Sequence, residues 1–216
     1  MEPRILFGKD FFKLDAKTTA LLVIDMQNEF VEAGAHYTAH PTSLEIIPNV
    51  DRIVSFAREH SMPIVWTQSD HSFPYGGLML RKYPPIAKEK VLWGGTRSFE
   101  MYPNMSQPVQ GEYRVVKHKY DAFFGTDLEI TLRNLKVESL IITGISTDVC
   151  CESTARSAFF REFQVAFISD STTTFNPEAH QATLRAIDTF FGRVMTTSEL
   201  LNELAGSIPV VAARKV

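Results

Sequence analysis

The chain has 216 residues, of which 44% are hydrophobic and 22% charged, a composition typical of a soluble globular protein that excludes a disordered or fibrous one. A formal net charge of −3 argues against a nucleic-acid-binding protein. The two cysteines are neighbours, Cys150 and Cys151, which excludes a disulfide framework and favours free thiols in a reducing compartment.

Six short apolar segments are predicted to be strands. Four are rich in Val, Ile and Leu and continuously apolar, the pattern of parallel strands covered on both faces: residues 20–24, 63–67, 139–143 and 164–168. Residues 113–117 and 192–196 are weaker candidates of the same kind.

Helical patterns separate these strands. Pro48 is predicted to begin a helix with an apolar stripe on one face. A capping-box sequence, TDLE at 126–129, and an Asn-Pro-Glu sequence at 176–178 predict two further helix N-termini. The TSELLNEL segment at 197–204 predicts a short final helix.

This alternation predicts an α/β fold of three layers, α/β/α, with a six-stranded, mostly parallel, Rossmann-like sheet. We expect residues 1–216 to form a single domain. The span of about 69–111 is the exception to the alternation, because it is rich in proline and glycine. A long irregular insertion of this kind is usually functional, and we expect it to form a wall or lid over a site.

Three chemically distinct side chains follow strand ends. Asp25 ends the first strand, Lys117 ends the candidate strand 113–117, and Cys150 follows the loop after strand 139–143. Ligands of open α/β sheets bind beyond the carboxyl ends of the strands, so an acid, a cation and a thiol are expected at one edge. Lys119 points to the same face of an extended strand as Lys117, so spacing alone does not choose between them.

Cys150 is predicted to lie in the first turn of a helix capped by Thr147 or Asp148. The positive end of the helix and a nearby ammonium would lower the pKa of its thiol and favour a thiolate at neutral pH. The alternative is that both cysteines are small buried side chains, the commonest fate of a free cysteine. Asp25 and Lys117 also have structural alternatives. Asp25 could simply end a strand and cap the following loop, and Lys117 could be a solvated lysine at the sheet edge.

Three segments carry a resemblance to a known family. LLVIDMQNEF, VVKHKYDAFFGTDLE and LIITGISTDVCCESTARSAF resemble, in the right order, the signature segments of the isochorismatase-like cysteine hydrolases. That family includes nicotinamidases, N-carbamoylsarcosine amidases, ureidoacrylate amidohydrolases and isochorismatases. The likeness runs from about Thr19 to Leu201 and implies that Asp25, Lys117 and Cys150 are the catalytic residues, with Cys151 as a packed thiol.

The resemblance also implies a cis peptide bond between Ile145 and Ser146, and an oxyanion hole formed by the backbone N–H groups of Ser146 and Cys150. The implied reaction is hydrolysis of an amide or ureido C–N bond through a thioester on Cys150, with Asp25 as proton acceptor and Lys117 orienting the acid. No cofactor is implied. The segments ESTARSAFF and DTFFGRV are most similar to the ureidoacrylate amidohydrolase branch, which favours a ureido or amide acid as substrate.

Nicotinamidases of this family bind a metal through an Asp-x-His pair and a further histidine. Here Asp70 and His71 are adjacent and no second histidine follows until His118, which is a poor metal site. We therefore predict no metal, and Asp70 and His71 are interpreted as residues of a loop or rim.

Five residues near the motifs or in the insertion are candidate substrate contacts: Trp93, Arg97, Tyr120, Phe123 and Phe124. Aromatic side chains supply apolar walls, and Arg97 offers bidentate recognition of a carboxylate. Each also has a structural alternative: the aromatic residues could pack in the core, and Arg97 could be a solvated surface residue.

Two alternatives to amide hydrolysis remain from the sequence: an isochorismatase that cleaves a vinyl ether, and a non-catalytic scaffold of the same fold. The chain has neither a signal-peptide core nor an apolar run long enough for a membrane span, so we expect a cytoplasmic protein with no membrane partner. A small-molecule substrate is the expected partner, and the resemblance implies a homo-oligomer, a dimer or a tetramer.

Overall fold

The computed structural model describes residues 11–35 and 40–208. All six predicted strands are confirmed, and they form one sheet in which every pairing is parallel. Their bounds are Thr19–Ile24 (β1), Ile64–Ser69 (β2), Tyr113–Lys117 (β3), Ser139–Ile145 (β4), Gln164–Thr173 (β5) and Arg193–Met195 (β6).

The helices lie on both faces of this sheet, which confirms the three-layer α/β/α architecture. Their bounds are Asn28–Val31 (α1), Ser43–Glu59 (α2), Leu78–Lys82 (α3), Pro84–Glu89 (α4), Leu128–Asn134 (α5), Glu152–Phe159 (α6), Pro177–Phe190 (α7) and Thr197–Ser207 (α8). A π-helical turn, Thr147–Cys151, precedes α6. Within the described ranges, no helix has both the length and the apolar character needed to cross a bilayer.

Two apolar cores explain why the strands are continuously apolar. Leu21 and Val23 of β1 pack into one core with α2 and α8, whereas Leu22 and Ile24 pack into the other with α5, α6 and α7. Successive side chains of a strand point to opposite faces, so a strand covered on both sides needs an apolar residue at every position.

Two predicted helix starts are corrected. The first helix begins at Ser43, and Pro48 lies inside it. Proline lacks the N–H that would bond to the carbonyl of Leu44, but burial of Ile46 and Ile47 on the α2 face outweighs that loss. Helix α5 begins at Leu128, so the capping box predicted at 126–129 does not form.

The other two helix starts are confirmed. Asn176 accepts a hydrogen bond from the Glu178 N–H, and Pro177 is the first residue of α7. A capping box between Thr196 and Glu199 begins α8. These contacts satisfy N–H groups that a helix N-terminus otherwise leaves unpaired.

The strand order is β3-β2-β1-β4-β5-β6. The chain therefore builds outward from β1 in one direction through β2 and β3, then returns to the other side of β1 as β4. Strand order reverses between β1 and β4, and the crevice at such a reversal is where open α/β sheets bind ligands. Asp25 follows β1 and Cys150 follows β4 at this crevice.

Candidate active site

The three residues singled out at strand ends lie together. The Lys117 Nζ is 2.7 Å from Asp25 Oδ2 and 3.5 Å from Cys150 Sγ. Asp25 and Lys117 have no exposed surface, and Cys150 is buried. The expected convergence of an acid, a cation and a thiol is therefore present at the carboxyl edge of the sheet.

The Lys117 side chain reaches Asp25 from two strands away. Lys117 ends β3, two strands away from β1, and strands are about 4.8 Å apart. Its side chain crosses the end of β2, where Nζ also donates to Ser69 Oγ at 2.7 Å. Lys119, the alternative left open by spacing, directs its Nζ to the Tyr75 and His118 carbonyl oxygens instead.

Hydroxyl groups hold the Asp25 carboxylate in place. Thr67 Oγ1 donates to Asp25 Oδ1 at 2.6 Å, and Ser69 Oγ donates to Oδ2 at 2.8 Å. Asp25 itself has a φ of 52°, a left-handed conformation that aspartate tolerates better than most residues. A buried carboxylate is stable only when it is paired and hydrogen-bonded, and here it is both.

The surroundings of the Cys150 thiol favour its protonated form, the opposite direction to the predicted thiolate. Burial raises its pKa to about 12, and the nearby Asp25 carboxylate acts in the same direction, while Lys117 opposes them. The helix N-terminus and the ammonium therefore do not produce a resting thiolate. Asp25 and Lys117 already neutralise each other, so a thiolate would add an uncompensated buried charge.

Lys117 is charged in this site. Burial lowers its pKa, but the charge of the Asp25 carboxylate and the hydrogen bonds to Asp25 and Cys150 favour the ammonium, and the pKa is raised to about 12. The arrangement is consequently an ammonium, a carboxylate and a neutral thiol in contact, with one proton available for transfer from sulfur to carboxylate.

Cys151 packs away from this site. Its side chain is fully buried, and its Sγ lies 3.9 Å from the Thr143 carbonyl oxygen in the core beneath α6. Burial raises the pKa of this thiol well above its ordinary value. The structure therefore separates the neighbouring cysteines into one that contacts charged groups and one that fills the core.

The loop between β4 and the π-helical turn has the backbone that the resemblance implies. The peptide bond between Ile145 and Ser146 is cis. Ser146 caps the turn, and its carbonyl accepts from the N–H groups of Val149 and Cys151, so the predicted caps Thr147 and Asp148 lie inside the turn. Gly144 has a φ of 109°, and an added Cβ would meet the Ile24 carbonyl oxygen at 2.0 Å, so only glycine fits there.

A cavity of about 430 Å³ opens beside Cys150, within the size range of small-molecule sites. Strand ends and the neighbouring loops contribute one part of its lining: Phe30, His40, Ser69, His71, Tyr120, Ser146, Val149, Cys150 and Phe175. The insertion contributes the rest: Met79, Tyr83, Pro85, Ile86, Val91 and Leu92. Its short helices α3 and α4 therefore form a wall of the cavity.

Only Tyr120 of the five candidate substrate contacts lines this cavity. Phe123 is buried in the core, stacked on Phe163, and Phe124 is exposed to solvent. Arg97 is exposed and pairs with Glu32, its Nη2 lying 2.5 Å from Oε1. Trp93 lies outside the lining, with Lys90 over its ring. These residues are close in sequence to the motifs, but their side chains point into the core or to the outer surface instead of into the cavity.

Two histidines of the lining were missed as site residues. His40 Nε2 lies 2.6 Å from Ser146 Oγ, and its ring stacks on Phe175 at 3.9 Å. His71 is buried in the cavity wall rather than at a rim. Its position just beyond the end of β2 was an available signal, since strand ends are where ligands bind.

Asp70 and His71 differ in role although they are adjacent. Asp70 accepts hydrogen bonds from the N–H groups of Ser72 and Gly94 and so fixes its own loop. His71 has a pKa lowered to about 4 by burial and by the Lys117 charge. Over residues 11–35 and 40–208, the structure places no group of three or more His, Cys, Asp or Glu side chains where they could hold a metal.

Residues 19–199 match the family model described as the isochorismatase domain. The protein belongs to the isochorismatase family. Nicotinamidase 3 of Arabidopsis thaliana is 34% identical over 194 residues, covering 89% of this chain and 92% of that protein. The ureidoacrylate amidohydrolase RutB of Serratia proteamaculans is 31% identical over 214 residues, covering 90% and 86% of the two chains.

Two solved structures share the fold of this chain. A cysteine hydrolase from Pseudomonas syringae pv. phaseolicola superposes with a TM-score of 0.85 at 24% identity, covering 91% of this chain and 97% of that one. An isochorismatase-like hydrolase from Alkaliphilus metalliredigens has a TM-score of 0.76 at 28% identity, with coverages of 86% and 98%. The fold of this isochorismatase-family chain is thus the one found in hydrolases.

Proposed function

We propose that this protein is a cysteine-dependent hydrolase that cleaves an amide or ureido C–N bond of a small molecule and releases ammonia or an amine. The observation that carries the proposal is the contact among Asp25, Lys117 and Cys150 at the base of a cavity. Relatives named nicotinamidase and ureidoacrylate amidohydrolase are hydrolases of this bond type, which supports the same chemistry here.

The protonated thiol defines the first step. As Cys150 Sγ attacks the substrate carbonyl carbon, its proton passes to the Asp25 carboxylate, so no thiolate has to exist beforehand. Lys117 remains a cation throughout and balances the negative charge, which moves from the carboxylate to the substrate oxygen. The backbone N–H groups of Ser146 and Cys150 are proposed to donate to that oxygen.

Breakdown of the tetrahedral intermediate returns the proton. Asp25 donates it to the nitrogen as the C–N bond breaks, and the amine or ammonia leaves with a thioester on Cys150. Water then attacks the thioester, with Asp25 accepting one of its protons and the sulfur regaining one. The products are a carboxylic acid, or a carbamic acid from a ureido substrate, and the free enzyme.

A substrate panel tests this chemistry. Purified protein is incubated with small primary amides, ureido acids and isochorismate, while ammonia release and intact protein mass are followed. We expect ammonia from at least one amide or ureido compound and a transient acyl adduct on Cys150. The Cys150→Ala variant should lose both, whereas the Cys151→Ala variant should keep both.

The same panel addresses the alternatives. Vinyl-ether cleavage does not need a nucleophilic sulfur, so hydrolysis of isochorismate that survives Cys150→Ala would identify an isochorismatase instead. A protein without turnover or adduct on any compound would fit a non-catalytic scaffold. The homo-oligomer and the cytoplasmic location expected from the sequence remain part of the proposal, and light scattering of the purified protein measures the first of these.

A further inference from the structure

The cavity lining contains two chemically different groups of residues, and they come from different parts of the chain. Strand ends and the loop before the π-helical turn place the polar groups of Ser69, His71, Ser146 and Cys150 around the reacting sulfur. The insertion contributes five apolar residues to the lining, which we term the apolar wall: Met79, Pro85, Ile86, Val91 and Leu92. The atoms of a substrate bound at Cys150 therefore share the cavity with these apolar side chains.

The described lining contains no arginine, lysine, aspartate or glutamate. Lys117 lies behind the sulfur, and its ammonium is already engaged by Asp25, Ser69 and the Lys119 carbonyl. Arg97, the predicted carboxylate clamp, is bound to Glu32 on the outer surface. Neither cation is therefore available to a charge inside the cavity.

The remaining polar groups of the lining are neutral or already bonded. His71 is uncharged near pH 7, because burial and Lys117 lower its pKa to about 4. His40 directs its Nε2 to Ser146 Oγ. Tyr83 and Tyr120 both line the cavity, and burial raises the pKa of Tyr120, so its hydroxyl is uncharged near pH 7. The hydroxyl groups and the uncharged His71 can orient a neutral molecule but do not compensate a buried negative charge.

From this lining we propose that the substrate is an uncharged amide with an apolar acyl group, and that an acyl group bearing a carboxylate is rejected. The inference rests on the proposed amide hydrolysis and specifies its substrate. It replaces the ureido or amide acid that the sequence likeness favoured. The physical reason is that an ionised carboxylate loses its hydration on entering the cavity and finds no lysine or arginine among the described lining residues.

Matched pairs of amides test this directly. Hexanamide and adipic acid monoamide have similar chains but differ in a terminal carboxylate, as do benzamide and 4-carbamoylbenzoic acid. We expect kcat/KM for ammonia release to be about a hundredfold higher for the neutral member of a pair. Equal or faster turnover of the acids would overturn the inference while leaving amide hydrolysis intact.

A charge placed on the apolar wall should reverse the preference. Met79 is half-buried and lines the cavity, whereas its neighbour Leu78 is 71% exposed and lies outside the lining. Met79→Arg should lower the ratio of neutral to acidic turnover by about tenfold or more. Leu78→Arg adds the same charge outside and should leave the ratio unchanged; an equal shift in both variants would contradict the assignment of the apolar wall.

Binding measurements separate this inference from the proposed reaction. Isothermal titration calorimetry of Cys150→Ala with the same four compounds reports affinity without turnover. Tighter binding of the neutral compounds, together with no ammonia release by the wild-type protein, would refute the hydrolysis but support the substrate class. Tighter binding of the acids would refute the substrate class whatever the turnover result.

Discussion

The Lys117 ammonium lies 2.7 Å from the Asp25 carboxylate, and neither side chain has any exposed surface. This pair connects the ends of β3 and β1 across β2 and is electrically neutral as a unit. Cys150 is placed against a neutral pair, so its thiol keeps its proton until a substrate oxygen can take up the negative charge.

Breaking this buried pair should destabilise the fold. Lys117→Met leaves the Asp25 carboxylate buried without its cation, and we expect the free energy of unfolding to fall by about 3–5 kcal/mol. Urea unfolding near neutral pH measures it. The double variant with Asp25→Asn removes the stranded charge and should recover part of the stability without recovering hydrolysis; a Lys117→Met protein as stable as wild type would contradict the prediction.

Asp25→Asn should make Cys150 more reactive toward alkylation while abolishing turnover. The carboxylate is one of the groups that raise the Cys150 pKa, and Lys117 lowers it, so the variant has a larger thiolate fraction. We expect faster iodoacetamide labelling of Cys150 near neutral pH, and a loss of hydrolysis of at least about a hundredfold because the proton acceptor is gone.

Asp70→Asn is the matched control for that experiment, since Asp70 fixes the Ser72 and Gly94 backbone and is not among the groups that shift the Cys150 pKa. Its labelling rate should equal that of wild type. Slower labelling in Asp25→Asn than in wild type would show that Cys150 is a thiolate already in the resting protein.

Gly144→Ala should damage both stability and activity. The added Cβ would lie 2.0 Å from the Ile24 carbonyl oxygen at a φ of 109°, which forces β4 away from β1 where Asp25 and the Ser146 loop meet. We expect a loss of more than about 2 kcal/mol in urea unfolding. Gly95→Ala is the control, because Gly95 also has a positive φ, 80°, but no atom lies within 4 Å of the added Cβ. Its smaller loss in the free energy of unfolding measures the cost of the backbone conformation alone.

Stability should fall above pH 9. The unfolded thiols ionise near the ordinary value of 9.0, whereas burial raises the Cys150 pKa to about 12 and the Cys151 pKa well above 9.0. The folded protein then binds more protons than the unfolded chain, so the free energy of unfolding decreases as pH rises, by up to about 1.4 kcal/mol per unit for each thiol.

Lys117 adds to this loss of stability at higher pH, because its pKa is raised from 10.5 to about 12 in the folded protein. The stability that Lys117 contributes is therefore lost as the pH rises from 10.5 to about 12. Urea unfolding from about pH 8 to about pH 11 checks the slope. Cys151→Ala removes one of the buried thiols and should give a shallower decline; an unchanged slope would mean that Cys151 ionises alike in both states.

The amino-acid sequence by itself determined the six strands, their mostly parallel sheet and the family, whereas the strand order came from the structure. Four of the strands were recognisable because a strand covered on both faces needs an apolar residue at every position, whereas the partly exposed edge strands β3 and β6 gave weaker patterns. The starts of α7 and α8 were recognisable because capping uses neighbours in the chain. The start of α2 at Ser43 was not recognisable from the sequence. Burial of Ile46 and Ile47 overrides the local preference of Pro48 for the first position of a helix.

Only the tertiary structure decided how the site is charged and which residues line it. The Cys150 pKa depends on burial and on the balance between Asp25 and Lys117, distances that no spacing along the chain encodes. The path of the insertion brings the apolar wall to the site, whereas Phe123 and Arg97 point away from it. Local patterns report which faces are buried, but protonation and pocket lining depend on groups far apart in sequence, which meet only when the layers pack.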